Sequence, residues 1–268
     1  MLSWDRTLII GERINPTGRG RLSEELVEGK LDFLVEEAVR QAQAGADAID
    51  VNVGAPGVDE IELLPRAVSA VYKATELPVC ADSSEPEALL AALKSAPELI
   101  VNSTTADRAF MDRLVPEVAR AEAALIGITK DGAGIPPTAQ ARLELASSIV
   151  ERATAEGITK DRLLIDFLTV PISTEPESAA LTLECVARGK AELGVKSVLG
   201  ASNISYGMPA RNILNASFVS MAVFAGLSAA IVDPLEPGVA QAVLAADVLA
   251  GKDRMGRRFL ADYRKRRR

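Results

Sequence analysis

The 268-residue chain contains no histidine, only two cysteines, and few aromatic residues, which make up 4% of the sequence. Without histidine, Ser-His-Asp and Cys-His catalysis are excluded, and the commonest general base and metal ligand are missing. Cys80 and Cys185 are too few for a four-cysteine zinc site, and we expect reduced, partly buried thiols, although a disulfide between them is conceivable. We therefore expect no metal bound by this chain.

Other signals are also missing from the sequence. No apolar run reaches the roughly 18 residues of a membrane span, and the polar residues that follow Met1 do not resemble a secretory signal. We expect a cytoplasmic protein that does not bind membranes. A net charge of −7 argues against a general nucleic-acid binder. The glycine pattern at 18–20 lacks the third glycine of a dinucleotide-binding loop.

Short runs rich in Ile, Val and Leu alternate with longer amphipathic stretches along the whole chain. Such runs are typical of buried parallel strands. Eight are present, at 7–12, 47–53, 77–82, 98–102, 123–129, 162–167, 196–202 and 229–233. Helices are predicted between them, the first over 31–42 and the others at 59–75, 86–95, 107–121, 138–156, 175–192, 208–227 and 237–250. Capping-box spacing predicts that Ser84 and Thr174 begin two of these helices.

Eight such units predict one domain, an α/β (β/α)₈ TIM barrel, which takes roughly 250 residues. We assign 1–251 to the barrel and 252–268 to a basic C-terminal tail. The tail carries nine Lys or Arg against two Asp. It is interpreted either as a solvated, partly disordered end or as a contact arm for an acidic partner protein.

Polar residues stand at the carboxyl ends of seven predicted strands, where chemistry is located in barrels of this kind. They are Glu12, Asn15, Asp50, Asn52, Asp82, Asn102, Asp166, Ser202, Asn203 and Asp233. Any one of them could simply terminate a strand or cap a helix. Their convergence on one rim favours a binding site. Carboxylates there suit a planar ligand edge with two adjacent N–H donors, such as a guanidinium or a pterin.

Several segments together resemble the pterin-binding methyltransferases. They are IIGERINPTGRG (9–20), AIDVNVG (48–54), CADSS (80–84), IVNSTT (100–105), LLIDF (163–167) and LGASNIS (199–205). Two branches are most similar, the methyltetrahydrofolate:corrinoid/iron-sulfur protein methyltransferases and the folate-binding domain of cobalamin-dependent methionine synthase. The resemblance covers roughly residues 7–250, and the ordered set of motifs is specific where a single motif is not.

The resemblance implies roles for individual residues. Asp82, Asn102 and Asp166 match residues that hold the pterin ring, and Asp50 matches a supporting residue. Asn203 matches the catalytic Asn that hydrogen-bonds N5. An amide suits this role because it can donate to neutral N5 or accept from N5–H⁺. We add Glu12, Asn15, Asn52 and Ser202 to the predicted pterin site because of their strand-end positions.

The implied activity is transfer of the N5-methyl group of methyltetrahydrofolate to cob(I)alamin on a separate corrinoid protein, or the reverse. The chain has no His for a lower cobalt ligand and no Cys/His zinc site, so we expect a single half-reaction. A non-catalytic folate-binding subunit remains an alternative. Dihydropteroate synthase is a weaker one, because INPTGRG and DFLTVP replace its motifs and the chain has no His.

Two further expectations follow. Tyr206 stands where some relatives place a Gln near the pterin, and Phe167 where Pro or another residue is common, so we expect differences in the fine contacts with the substrate. Close relatives are homodimers, and the predicted helices at 208–227 and 237–250 carry more apolar residues than one buried face needs. Those residues are Met221, Val223, Phe224, Leu227, Val239, Val243 and Leu244. We therefore expect a homodimer.

Overall fold

A computed structural model describes residues 4–266 of the protein. Its eight strands are β1 (Leu8–Ile14), β2 (Ala48–Asn52), β3 (Val79–Asp82), β4 (Leu99–Thr104), β5 (Ala124–Ile128), β6 (Leu163–Asp166), β7 (Lys196–Gly200) and β8 (Ala229–Val232). Each pairs in parallel with the next, and β8 pairs with β1, so the sheet closes into a barrel. The predicted (β/α)₈ fold is confirmed.

Ten α-helices are found within residues 4–266. They are α1 (Gly20–Val27), α2 (Asp32–Gln43), α3 (Glu60–Thr75), α4 (Pro86–Ala92), α5 (Arg108–Arg120), α6 (Ala139–Ala155), α7 (Ser178–Arg188), α8 (Arg211–Ala225), α9 (Val239–Leu249) and α10 (Arg257–Arg266). The first and last were not predicted. None of the helices in this part of the chain combines the length and hydropathy needed to cross a bilayer.

The two predicted capping boxes are wrong. Helix α4 begins only at Pro86, and the hydroxyl of Ser83, not Ser84, accepts the Glu85 backbone N–H at 3.0 Å. Helix α7 begins at Ser178, while the Thr174 hydroxyl donates to the Pro171 carbonyl at 3.0 Å. In both places a turn of the strand–helix loop uses the hydroxyl before the helix starts.

The centre of the barrel is filled by one inward-facing apolar side chain from most strands. These residues are Leu8, Ile10, Ala48, Cys80, Ile100, Ile126, Leu164, Val198 and Ala229. A larger cluster lies between the strands and the surrounding helices. Cys80 and Cys185 are buried and free, one in each layer.

The basic segment after residue 251 packs against the amino end of the barrel. Arg258 donates to the Thr7 carbonyl at 3.3 Å and forms ion pairs with Asp47 at 3.1 Å and Asp247 at 3.3 Å. Helix α10 therefore lies at the end of the barrel opposite to the strand-end residues discussed below. Residues 1–3 of the predicted barrel and 267–268 of the predicted tail lie outside the described residues.

Candidate active site

The polar residues predicted from the strand ends follow directly from the pattern of the barrel core. Side chains two residues apart along a strand point to the same face of a sheet. The residue two positions after each of Ile10, Ala48, Cys80, Ile100 and Leu164 is polar. On β2 a further polar residue follows after another two positions. These six are Glu12, Asp50, Asp82, Asn102, Asp166 and Asn52. We call them the polar mouth.

Three residues of the polar mouth lie side by side on neighbouring strands. Asn52 pairs in register with Asp82, and Asp82 with Asn102. The Asn52 amide donates to Asp82 Oδ2 at 3.0 Å, and the Asn102 amide donates to Asp50 Oδ1 at 3.1 Å. Each amide therefore orients a carboxylate. Asp82 Oδ1 has no hydrogen-bond partner among residues 4–266 and stays available to a ligand.

The carboxylates of the polar mouth form no salt bridge within the described chain, and their pKa values are raised. Burial raises the pKa of Glu12 to about 7, with the nearby Ser202 hydroxyl opposing the rise and Asp233 adding to it. Burial raises the pKa of Asp82 to about 6, partly offset by Asn52. The pKa of buried Asp50 is raised well above its ordinary value by burial and by the charge of Asp82. Such shifts are common at functional sites.

Asp166 stands at the end of β6 on the opposite side of the mouth. Its Oδ1 accepts the Leu168 backbone N–H at 2.7 Å, and the Gly200 N–H also stabilises its charged form. Burial is the larger effect and raises the pKa of Asp166 to about 6. The carboxylate is thus held by backbone donors rather than by a cation.

Asn203 lies on a short 3₁₀ helix, Ala201–Ser205, that replaces the predicted end of the seventh strand. Its side chain is exposed, and its amide has no hydrogen-bond partner among the described residues. A Cβ on Gly200 would lie 2.9 Å from Asn203 Nδ2, so a larger residue there would displace the Asn203 amide. Gly200 thus makes room for Asn203 and also contributes an N–H to Asp166.

Two of the predicted site residues have other local contacts. Asn15 Oδ1 accepts the Thr17 N–H at 3.0 Å and shapes the loop after β1. Ser202 is buried beside Glu12, and its carbonyl accepts Arg211 Nη2 at 3.0 Å. Asp233 is bound to Arg13 at 2.7 Å and is thereby less available to a ligand.

Two arginines near the site, Arg211 and Arg142, were not among the residues predicted from the sequence. Arg211 holds the Asn203 segment through Ser202 and the Ser205 hydroxyl, and its guanidinium lies 5.3 Å from the centre of the exposed Tyr206 ring. Arg142 is buried behind Asp166. The sequence could have indicated that Arg142 is buried, because it falls on the apolar stripe of α6 formed by Ala139, Leu143 and Ala146.

Among the described residues, no group of three or more Asp, Glu, Cys or His side chains is arranged to hold a metal ion. The polar mouth offers instead carboxylates and amides spread over several strands. That arrangement suits an organic ligand with several N–H donors.

Comparisons with known proteins identify the family of the chain. The model of the family described as "Pterin binding enzyme" matches residues 11–233. A methylcorrinoid:tetrahydrofolate methyltransferase from Eubacterium limosum is 35% identical over 264 residues, with 96% of each chain covered. A methionine synthase from Mycobacterium tuberculosis is 30% identical over 239 residues, which are 84% of this chain and 20% of that protein.

Solved structures of dihydropteroate synthases share the fold. The enzyme from Coxiella burnetii with pteroic acid gives a TM-score of 0.72 at 16% identity, covering 94% of this chain and 96% of that one. A Xanthomonas albilineans structure gives 0.69 at 22% identity, covering 92% and 94%. At this identity the likeness concerns the barrel alone. The match to the family model and the 35% identical relative show more than the fold: the chain belongs to the pterin-binding enzyme family.

Proposed function

We propose that this protein is a methyltransferase that moves a methyl group between the cobalt of a corrinoid on a separate protein and N5 of tetrahydrofolate. Family membership and the relative from E. limosum support the reaction class. The observation that carries the proposal is the polar mouth. Its carboxylates are held by amides and backbone N–H groups but lack cations, which suits the N–H donors of a pterin.

In this proposal the predicted residues keep their roles. Asp82, Asn102 and Asp166 bind the pterin ring, while Asn52 orients Asp82 and Asp50 orients Asn102. Glu12, Asn15 and Ser202 complete the wall of the site. Hydrogen bonding by a carboxylate fixes the ring plane, so the N5 atom faces the open end of the barrel where the corrinoid protein docks.

Asn203 is the proposed catalytic residue. In the direction named for the relative, the N5 lone pair attacks the methyl group, the carbon–cobalt bond breaks and leaves its electron pair on cobalt, and N5 then loses its proton. Positive charge develops on N5 during this step. The Asn203 amide oxygen can accept from N5–H⁺, and in the reverse direction the same contact assists departure of the methyl group.

We place the corrinoid on another protein because this chain has no histidine to serve as a lower ligand. The match to one fifth of a methionine synthase supports a single half-reaction. The corrinoid is therefore a substrate of this enzyme, as folate is. The proposed compartment is the cytoplasm. No step requires a metal bound by this chain.

A direct test mixes the enzyme with free methylcobalamin and tetrahydrofolate without oxygen and follows cob(I)alamin by its absorbance. Transfer that persists after exhaustive chelation is expected. Calorimetric binding of tetrahydrofolate without transfer, to free cobalamin or to a corrinoid protein, would identify a non-catalytic folate-binding subunit. Formation of dihydropteroate from a pterin diphosphate and p-aminobenzoate would identify a synthase instead. Absence of folate binding would reject the proposal.

We also propose a homodimer, on narrower grounds than the sequence suggested. Five of the seven apolar residues noted in the two helices are buried in the barrel fold itself, including Val223 and Val243. Met221, Phe224 and Leu249 remain 54%, 77% and 82% exposed and line an apolar groove of about 480 Å³. Exposed patches of this kind mark interfaces. Light scattering should give twice 28.3 kDa, and Phe224→Asp should reduce it to the monomer.

A further inference from the structure

Arg142 is a buried cation whose charge acts on Asp166 and Glu175 only from beyond ion-pair distance. Its side chain is 1% exposed, and no described carboxylate lies within ion-pair distance of it. Its guanidinium instead donates to three backbone carbonyls: Nε to Pro136 at 2.9 Å, and Nη1 to Phe167 at 2.7 Å and to Leu168 at 2.9 Å. Burying a charge is costly unless its hydrogen bonds are satisfied. The role of the contact therefore lies in the backbone carbonyls that it holds in place.

Two of the three carbonyls belong to the turn that follows Asp166. Leu168 has a φ of 62°, in the left-handed region that is unfavourable for residues with a side chain. This conformation directs the Leu168 N–H to Asp166 Oδ1 at 2.7 Å. The Thr182 hydroxyl on α7 adds a donor to the Leu168 carbonyl at 3.2 Å. The turn is thus held in a strained form by donors from two helices.

We propose that Arg142 is a positioning residue for Asp166. By fixing the Phe167 and Leu168 carbonyls it keeps Leu168 left-handed, and Leu168 then holds Asp166 Oδ1, which sets the direction in which the carboxylate faces the ligand. The Nε contact ties the same unit to the loop before α6, so two loops of the rim are set by one side chain. This inference rests on the proposed function only in naming that ligand as a pterin.

The experiment measures binding of tetrahydrofolate by calorimetry, and KM and kcat for methyl transfer, in a set of folded variants. Arg142→Met removes the donors and should weaken binding about 10- to 100-fold, by analogy with the loss of residues that orient metal-binding side chains. KM should rise by a larger factor than kcat falls. Arg142→Lys keeps the charge and a donor and should lie between Met and wild type. Arg152→Met, at the far end of α6, should match wild type.

Leu168 variants separate positioning from general stability. Leu168→Gly removes the cost of the left-handed turn, so the double variant Arg142→Met/Leu168→Gly should recover part of the lost affinity. Leu168→Val, which is β-branched, should weaken binding although Arg142 is intact. Leu168→Val also keeps the proposal testable if Arg142→Met does not fold, because Arg142 is intact in it.

Wild-type affinity in folded Arg142→Met, or in Leu168→Val, would overturn the proposal, and so would a double variant no better than Arg142→Met. These failures differ from failure of the proposed function. In that case wild type and Arg152→Met would themselves show no tetrahydrofolate binding.

Discussion

The two ends of the barrel both bury carboxylates, but they stabilise them differently. At the amino end, Asp247 accepts from the Thr7 backbone N–H at 3.0 Å and from its hydroxyl at 2.7 Å, and it pairs with Arg258. Asp47 pairs with Arg6 at 2.8 Å and with the same Arg258. At the carboxyl end, Glu12, Asp50 and Asp82 form no salt bridge within residues 4–266, and their pKa values are raised.

The difference separates stability from function. Carboxylates that are paired at the amino end fasten α9 and α10 to the start of β1 and β2, and they have little left to offer a ligand. Those of the polar mouth remain short of donors in the unliganded protein. A ligand that supplies N–H groups can donate to these carboxylates the hydrogen bonds that the protein itself does not provide. The predictions below test this contrast, starting with the largest effect.

Asp166→Ala should cost roughly 2–5 kcal/mol of tetrahydrofolate binding, because the pterin donors would be buried without an acceptor. Isothermal calorimetry measures the loss. Asp161→Ala, which removes an exposed carboxylate at the amino end, is the matched control and should bind like wild type. Equal affinity in the two variants would remove Asp166 from the site.

Asn203→Ala should slow methyl transfer about 10²- to 10³-fold on folate-saturated enzyme, the usual cost of losing one group that stabilises developing charge. Binding should weaken less, since the exposed amide adds one contact among several. Single-turnover kinetics with free methylcobalamin separate the two effects. If affinity falls while the saturated rate is kept, Asn203 is a binding residue only.

The raised pKa values predict opposite pH responses for stability and for binding. The pKa of Glu12 is about 7 against an ordinary 4.5, and that of Asp82 is about 6 against 3.8. The folded protein therefore binds more protons than the unfolded chain between about pH 4 and 7. The contribution of these groups to stability is complete below that window and is lost as the pH rises through 6 to 7. Pterin binding needs the ionised forms, so affinity should fall as the pH drops through the same range.

Glu12→Gln isolates this effect, because its neutral amide resembles the protonated acid. At about pH 8 the variant should be more stable than wild type by roughly 1–3 kcal/mol, since one pKa unit corresponds to about 1.4 kcal/mol. The gain should shrink towards about pH 5. Urea denaturation of the unliganded proteins at several pH values measures it. Parallel pH curves for the two proteins would show that Glu12 does not titrate in this window.

Much of the site could be predicted from sequence because it follows a period of two. Once the strands were placed, five polar residues lay two positions beyond a residue of the barrel centre, as Asp82 does beyond Cys80. The resemblance added roles that the pattern alone does not contain. These roles, including that of Asn203, remain predictions that the experiments above address.

The features that were missed depend on local or long-range contacts. Helix α1 is short and buries only Leu22 and Leu26, which are too few to show a helical period of apolar residues. The end of β7 turns into a 3₁₀ helix after Gly200, although the predicted strand extends to Ser202. The role of Arg142 depends on carbonyls about 25 residues away along the chain, and no local pattern describes that contact.

The smallest effect is expected at the amino end. Arg258 is partly exposed, and burial lowers its pKa while Asp47 opposes this. Arg258→Met should therefore cost only about 1–2 kcal/mol of stability, less than a fully buried ion pair, because solvent screens part of the interaction. Folate affinity and transfer to free methylcobalamin should not change, since the contacts of Arg258 with Thr7, Asp47 and Asp247 all lie at the amino end of the barrel. A variant that keeps its stability but loses affinity would show that the two ends of the barrel are coupled, and the contrast between them would then fail.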